Sequence, residues 1–369
     1  MGKDRRDFLK TAVAAAGAVA LGSGIDSAAR IVSRPTDLVT TPADDSLYGT
    51  DLPSFKTPEC MQGMPIHATF LDEVSWDIPH ANWGPAEWDR DFAHMKAMGI
   101  NTVVLIRAGL GKWIAAPFES LLGKEAVMYP PVDLVEMFLT LADKHDMRFF
   151  FGFYDSMYYW HIGNYQREVD LNRALIDEVW AKYGHHKSFK GWYMSQEVSR
   201  RTREVSKIYA DLGRHAKEIS GGLTTMVSPY IHGVKTDQVM NGDKATTVEE
   251  HEREWDDILG NLEGVLDILA FQDGQVEYEE LYDYLVCNKQ LADKHGMHCW
   301  TNVESFDRDM PIRFLPIKFE KLLQKLDCAR RAGMEDVITF EFSHFMSPQS
   351  IYSSAGNLYN RYREHFNLV

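Results

Sequence analysis

The sequence predicts a parallel α/β chain that closes into a (β/α)8 TIM barrel, preceded by an N-terminal export signal and an irregular lead-in. Three observations carry this. Eight short apolar runs, centred near Thr69, Val104, Phe151, Met194, Val227, Ala270, Thr301 and Thr339, follow one another at spacings of 31 to 47 residues. Helical patterns fill the gaps, and strand-helix alternation at this pitch builds parallel strands with helical crossovers, eight of which close a barrel. No Gly-x-Gly-x-x-Gly or phosphate loop follows the first run, so the rival doubly wound sheet lacks its nucleotide signature.

The elements follow in chain order. Residues 1–29 carry Lys3-Asp4-Arg5-Arg6-Asp7-Phe8-Leu9-Lys10, the small apolar run Thr11 to Leu21, and the exit Ser27-Ala28-Ala29. Charged region, apolar region and small-residue exit predict a signal peptide, and the paired arginines resemble a twin-arginine signal. The expected partner is the twin-arginine export machinery, and the expected location is periplasmic or secreted. The apolar run is too short for an ordinary membrane span, and no Cys stands near the exit to take a lipid, so no stable membrane anchor is expected. Residues 30–64, rich in Pro, Thr, Ser and Asp, read as linker and lead-in. The barrel domain is expected over residues 65–369.

Within it, Trp88, Phe92, Met95 and Met98 form one helical stripe after Gly84-Pro85, and Gly99 ends that helix before the second strand. The pattern recurs over Val132 to His145, Asp170 to Tyr183, Arg203 to Ile219, Tyr278 to His295 and Ile317 to Ala332. Met240 to Glu254 reads as an exposed loop opening into a helix.

Composition narrows the function. A net charge of -15 repels nucleic acid and anionic membrane surfaces. The 12% aromatic content alone favours a large core over a carbohydrate groove, where flat rings would pack on sugar faces. Cys60, Cys287, Cys299 and Cys328 form no CxxC framework and read as buried free thiols, with a Cys287–Cys299 bridge left open.

Two strand tips carry carboxylates. Glu197 ends the run Gly191-Trp192-Tyr193-Met194-Ser195-Gln196-Glu197 on the fourth strand, and Glu304 ends Trp300-Thr301-Asn302-Val303-Glu304 on the seventh. Barrels of this kind keep their chemistry at the C-terminal strand ends. Cleavage of a glycosidic bond needs one acid to protonate the leaving oxygen and a second carboxylate to attack or stabilise the anomeric carbon. Glu197 is therefore the candidate acid/base and Glu304 the candidate nucleophile, with an unidentified poly- or oligosaccharide as substrate. Asp72, Arg107, Tyr154, Asp155, Tyr230, Gln272 and His344 stand at other strand tips as hydroxyl partners. Met157-Tyr158-Tyr159-Trp160 resembles a sugar-stacking wall, with Trp160 as its ligand-facing member.

Strand parity extends the set. On the seventh strand Trp300, Asn302 and Glu304 share one side. On the eighth, the apolar set Ile338, Phe340 and Phe342 is expected to face the helices, and Thr339, Glu341 and Ser343 to point inward. Asp155 and Glu341 are rival catalytic acids. No His-x-His follows the first strand and no His-Glu-x-x-His occurs; adjacent His185-His186 is poor metal geometry and fits a turn. No metal or other cofactor is expected.

The run Trp83-Gly84-Pro85-Ala86-Glu87-Trp88 through Met95-Lys96-Ala97-Met98-Gly99-Ile100-Asn101-Thr102-Val103-Val104-Leu105 resembles exported bacterial TIM-barrel proteins assigned as glycoside hydrolases within a family of unknown function. The likeness continues through Leu141 to Met147, Phe151-Gly152-Phe153-Tyr154 and Phe189-Lys190-Gly191-Trp192-Tyr193. More distantly, the chain resembles the large retaining glycosidase clan, which implies acid/base for Glu197 and nucleophile for Glu304. That clan places Asn directly before its acid/base, whereas Gln196 stands here and reaches a sugar hydroxyl differently. Two alternatives share the barrel: a divalent-metal sugar isomerase or epimerase with Glu197, Glu304, Glu341 and Asp273 around the ion, and a non-catalytic carbohydrate-binding barrel.

Overall fold

The computed structural model describes residues 61–76, 78–128, 132–200, 204–236, 244–308 and 314–368. The expected signal segment, most of the expected lead-in and Cys60 lie outside the described residues. Eight parallel strands form a closed barrel in chain order: β1 (Ala68–Leu71), β2 (Thr102–Leu105), β3 (Arg148–Gly152), β4 (Phe189–Met194), β5 (Thr224–Val227), β6 (Ile268–Gln272), β7 (His298–Glu304) and β8 (Asp336–Phe340). The ring closes where β1 pairs with β8, Ala68 opposite Ile338. All eight strands contain their expected centres, with Met194 and Val227 the last residues of β4 and β5.

A helix follows each strand: α1 (Pro85–Ala97), α2 (Leu134–His145), α3 (Tyr165–Tyr183), α4 (Val205–Ser220), α5 (Val248–Gly260), α6 (Tyr278–Lys294), α7 (Phe319–Ala332) and α8 (Ser353–His365). Local chemistry sets their ends. Helix α1 starts with Pro85 in its first turn, where a missing N–H costs nothing, and Glu87 accepts from the Gly84 N–H at 3.1 Å. It buries Trp88, Phe92 and Met95 as the stripe requires. Gly99 follows at φ +91°, a conformation open to glycine at little cost. Helix α3 begins five residues before the expected Asp170, because the Asn164 side chain accepts from Arg167 N–H. Thr247 and Glu250 cap α5 reciprocally, so the Met240 to Glu254 segment does open into a helix; residues 237–243 lie outside the described set.

Two apolar layers result. The outer one packs strand residues such as Phe149, Phe151, Trp192, Phe271 and Val337 against the helices. The inner one fills the barrel with Phe70, Val104, Phe150, Tyr193, Met226, Trp300 and Ile338, and Phe340 packs against it. This reverses the expected parity of β8. A small parallel barrel is plugged by bulky apolar side chains, so Ile338 and Phe340 point inward and Val337 outward, whereas Phe342, beyond the strand, packs in the outer layer as expected. The expected side of Trp300 holds. Strand β3 lies so close to β2 that a Cβ on Gly152 would sit 2.1 Å from the Leu105 carbonyl oxygen.

Two small sheets cap the C-terminal face. Gly109–Leu110, Trp113–Ile114, Val127–Met128 and Tyr154–Asp155 form one beyond β2 and β3, and Phe306–Asp307 pairs with Leu315–Pro316 beyond β7. Cys287, Cys299 and Cys328 are buried free thiols, which rules out the Cys287–Cys299 bridge. His185 and His186 occupy the turn before β4, where His186 Nδ1 bonds the Asp143 carboxylate at 2.8 Å. No described helix is long and apolar enough to cross a membrane.

Candidate active site

A cavity of about 430 Å³ opens at the C-terminal ends of the strands. Asp72 from β1, Arg107 from β2, Glu197 from β4, Tyr230 from β5, Gln272 from β6 and Glu304 from β7 supply its polar lining. Ile78, Phe306, Phe314 and Phe340 form an apolar wall, and Trp76, 73% exposed, stands with them. Flat apolar rings opposite a polar ring suit a sugar, whose faces are apolar and whose edge is hydroxylated.

Glu197 is carried into the cavity by the residues before it. Ser195 donates to the Ile106 carbonyl at 2.6 Å, and Gln196 donates to the Tyr154 carbonyl and to Glu168, both at 2.9 Å. These bonds tie the end of β4 to β2, β3 and α3. The Glu197 side chain, 20% exposed, then accepts from the Tyr230 hydroxyl at 2.5 Å and from Gln272 Nε2 at 3.2 Å, with Arg107 Nη2 at 3.6 Å. Burial raises its proton affinity above the usual glutamate range, against the opposing pull of Arg107, Tyr230 and Gln272. A carboxyl that holds its proton in a shielded site can serve as a general acid.

Glu304 has a different setting. Its side chain is 4% exposed and forms a two-pronged ion pair with Arg308, Nε to Oε2 at 2.7 Å and Nη2 to Oε1 at 2.6 Å. Its backbone N–H donates to Asp273 at 3.1 Å. Asp273 in turn pairs with buried Lys325 at 2.9 Å, and Lys325 also donates to the Glu304 carbonyl at 3.3 Å. The strand tip is thus fixed from below by one ion pair and its carboxylate from above by another.

Eight of the other expected residues do not line the cavity. Tyr154 donates to the Gly111 carbonyl at 2.6 Å and packs in the outer core. Asp155 accepts from Met157 N–H at 2.8 Å and Trp160 Nε1 at 2.9 Å, so this rival acid and the buried Trp160 hold a loop together. In the same segment Tyr158 is exposed and Tyr159 bonds Glu125, so the aromatic wall is turned away from the cavity lining. Gln196 is fully buried by the bonds given above. Trp300 plugs the barrel, and Asn302 donates to Ser228 Oγ at 3.0 Å beneath the cavity floor. Glu341, joined to Phe340 by a cis peptide bond, caps the short helix Phe342–Phe345 through the N–H groups of Ser343 and His344. It is also bonded to His344 Nδ1, whose proton affinity is pushed up to about 9; burial opposes this, and the Glu341 charge outweighs it.

Arg308, Phe306, Phe314, Ile78, Trp76, Ser75, Gln275 and Phe340 line the cavity and had not been singled out as site residues. Arg308 stands four residues after Glu304, a charge spacing visible in the sequence; the others carry no such mark. Among the described residues no group of three or more His, Cys, Asp or Glu is arranged to hold a metal ion. The four carboxylates of the isomerase alternative are divided among separate partners: Glu341 with His344, Asp273 with Lys325, Glu304 with Arg308, Glu197 with Tyr230.

Comparison with known proteins places this geometry. The crystal structure of a candidate alpha-L-fucosidase from Bacteroides thetaiotaomicron is 53% identical over 84% of this chain and 95% of that one, with a TM-score of 0.80. A beta-glucuronidase from an uncultured Clostridium species is 12% identical, with a TM-score of 0.50 over 82% of this chain and 50% of its own. A beta-galactosidase from Marinomonas ef1 is 11% identical, at 0.50 over 82% and 59%. At these identities the last two share the fold alone, a barrel that glycoside hydrolases use. No protein of curated function matches the sequence. Residues 66–352 match the family model described as a domain of unknown function, DUF4434. This span covers the barrel from before β1 to the start of α8, and the chain belongs to the DUF4434 family.

Proposed function

We propose that the protein is an exported glycoside hydrolase in which Glu197 is the acid/base and Glu304 the nucleophile of a retaining mechanism. The observation that carries this is the contrast between two carboxyls of one cavity. Glu197 is shielded, with its proton affinity raised by burial, and Glu304 is ion-paired with a guanidinium. Two titratable groups in opposed environments mark an acid and its partner base or nucleophile.

In the first step a Glu304 oxygen attacks the anomeric carbon while the Glu197 O–H protonates the departing glycosidic oxygen. The aglycone leaves as an alcohol and a glycosyl ester forms on Glu304. In the second step Glu197, now ionised, takes a proton from water as that water attacks the same carbon. The ester opens, Glu304 regains its charge, and Glu197 regains its proton. The apolar wall of Ile78, Phe306, Phe314 and Phe340 and the polar lining hold the sugar. The relative from Bacteroides makes an alpha-L-fucoside the first substrate to try, and the twin-arginine-type N-terminus supports action outside the cytoplasm.

The test is a panel of 4-nitrophenyl glycosides that includes the alpha-L-fucoside, followed by NMR of the anomeric product. Glu197→Gln and Glu304→Gln should each lower kcat by about 10³-fold or more on the substrate found, with the fold intact. Near-native turnover by either variant overturns its assigned role. Glycan binding with no turnover by the wild type would favour the non-catalytic barrel.

A further inference from the structure

Glu304 is held between two features that the hydrolase reading does not require, Arg308 on one side and Gly274 on the other. A Cβ built on Gly274 would lie 2.0 Å from Glu304 Oε1 and 2.3 Å from both Cδ and Oε2. Any side chain at 274 would occupy the space of the carboxylate itself. The Arg308 guanidinium lies 5.0 Å from the Phe306 ring centroid and 5.8 Å from that of Phe314, so it is seated against the apolar wall. The Arg308 side chain is 23% exposed against 4% for the Glu304 side chain it holds, and both line the cavity.

We infer that Arg308 and Gly274 are a positioning pair for Glu304: the first fixes both its oxygens and the second leaves open the space in which they stand. The inference rests on the assignment of Glu304 as nucleophile. A carboxylate offers about four lone-pair sites. The two guanidinium N–H groups take two of them, one on each oxygen, and leave the others for the anomeric carbon. Attack needs an oxygen held within about 3–3.5 Å of that carbon and aligned with it. A free glutamate at a strand tip would sample several rotamers; here one is enforced by charge and by shape together.

Gly274→Ala probes the shape without removing a charge, and Arg308→Ala probes the charge. On the 4-nitrophenyl glycoside turned over by the wild type, each should lower kcat about 100-fold, the scale of a 1 Å misplacement, with KM within about threefold. Free guanidinium ion should restore part of the activity of Arg308→Ala and none of that of Gly274→Ala. Wild-type kcat in Gly274→Ala, or no rescue of Arg308→Ala, overturns the inference.

A second readout needs no substrate. Labelling with a water-soluble carbodiimide and glycine ethyl ester, read by peptide mass spectrometry, should modify Glu304 at least tenfold more in Arg308→Ala than in the wild type. Equal labelling overturns the inference. Glu304→Gln runs alongside: if it retains activity the nucleophile assignment fails, whereas an inactive Glu304→Gln beside a fully active Gly274→Ala sinks the positioning pair alone.

Discussion

Tyr230 donates its phenolic O–H to Glu197 Oε2 at 2.5 Å, one strand tip reaching across to the next. The bond favours the ionised carboxylate, while burial favours the acid and prevails. Tyr230→Phe removes the bond and keeps the ring, so Glu197 should hold its proton to higher pH. The alkaline limb of the kcat/KM profile then moves upward in pH relative to the wild type. A limb that stays in place or moves down contradicts Glu197 as the acid.

The two candidate catalytic carboxyls should differ in what they do for stability. Glu197 bears the cost of a shielded carboxyl, which a neutral amide avoids. Removing the Glu304 charge leaves Arg308 without its partner. Arg107 contacts Glu197 at the looser distance of 3.6 Å and also feels Asp72 and Asp155, so urea unfolding at pH 8 should find Glu197→Gln less destabilised than Glu304→Gln. Glu304→Gln should be about 2 kcal/mol less stable than the wild type, below the span for a fully buried pair because Arg308 is partly exposed. The reverse order would mean that the ion pair is weaker than its geometry indicates.

The barrel and its chemical face were readable from the chain because both follow from period and spacing. Strand pitch set the topology, and the C-terminal position of Glu197 and Glu304 followed from where their apolar runs end. What failed was the inference from alternation on β8. Glu341 alternates with apolar neighbours because it caps the helix after the strand, and the polar residues Gln196, Asp155 and Asn302 serve neighbouring backbone and side chains. Arg308 is legible as a charge four residues after Glu304, whereas Gly274 carries no mark. The importance of Gly274 lies in the approach of the loop after β6 to the tip of β7, and sequence separation carries no trace of how close the two come.

His344 gives a pH signature on stability. Its proton affinity is near 6.5 in the unfolded chain and about 9 in the folded one, where Glu341 holds the charged form against the cost of burial. The stability this pair adds is fully present below about pH 6.5 and is lost as pH rises through about 9. His344→Gln should cost about 3 kcal/mol at pH 6, the scale for breaking a buried pair, and progressively less toward pH 10. A difference that does not change with pH would show that the pair is neutral in the folded protein.

Asp91 should show the same direction at lower pH. It is fully buried on α1, accepts from Ser343 Oγ at 2.8 Å and from Ser347 Oγ, and has its proton affinity raised by burial from 3.8 to about 7. The folded chain keeps this proton where the unfolded chain loses it. The associated stability is therefore present below pH 3.8 and declines as pH rises toward about 7. Asp91→Asn should flatten the fall of Tm between pH 4 and 7 measured against the wild type. Parallel Tm curves would contradict the raised affinity.

The pairing of β1 with β8 has a consequence for how the chain is made. The Thr69 hydroxyl reaches the Thr339 carbonyl across 270 residues of sequence, so the ring lacks its last joint until β8 has left the ribosome. Until then β1 and β7 are open edges with unpaired backbone groups, the surfaces that recruit wrong partners. A product that stops before Asp336 keeps seven strands and both edges. It should aggregate where a chain that includes β8 stays dispersed, which makes β8 the strand on which closure waits.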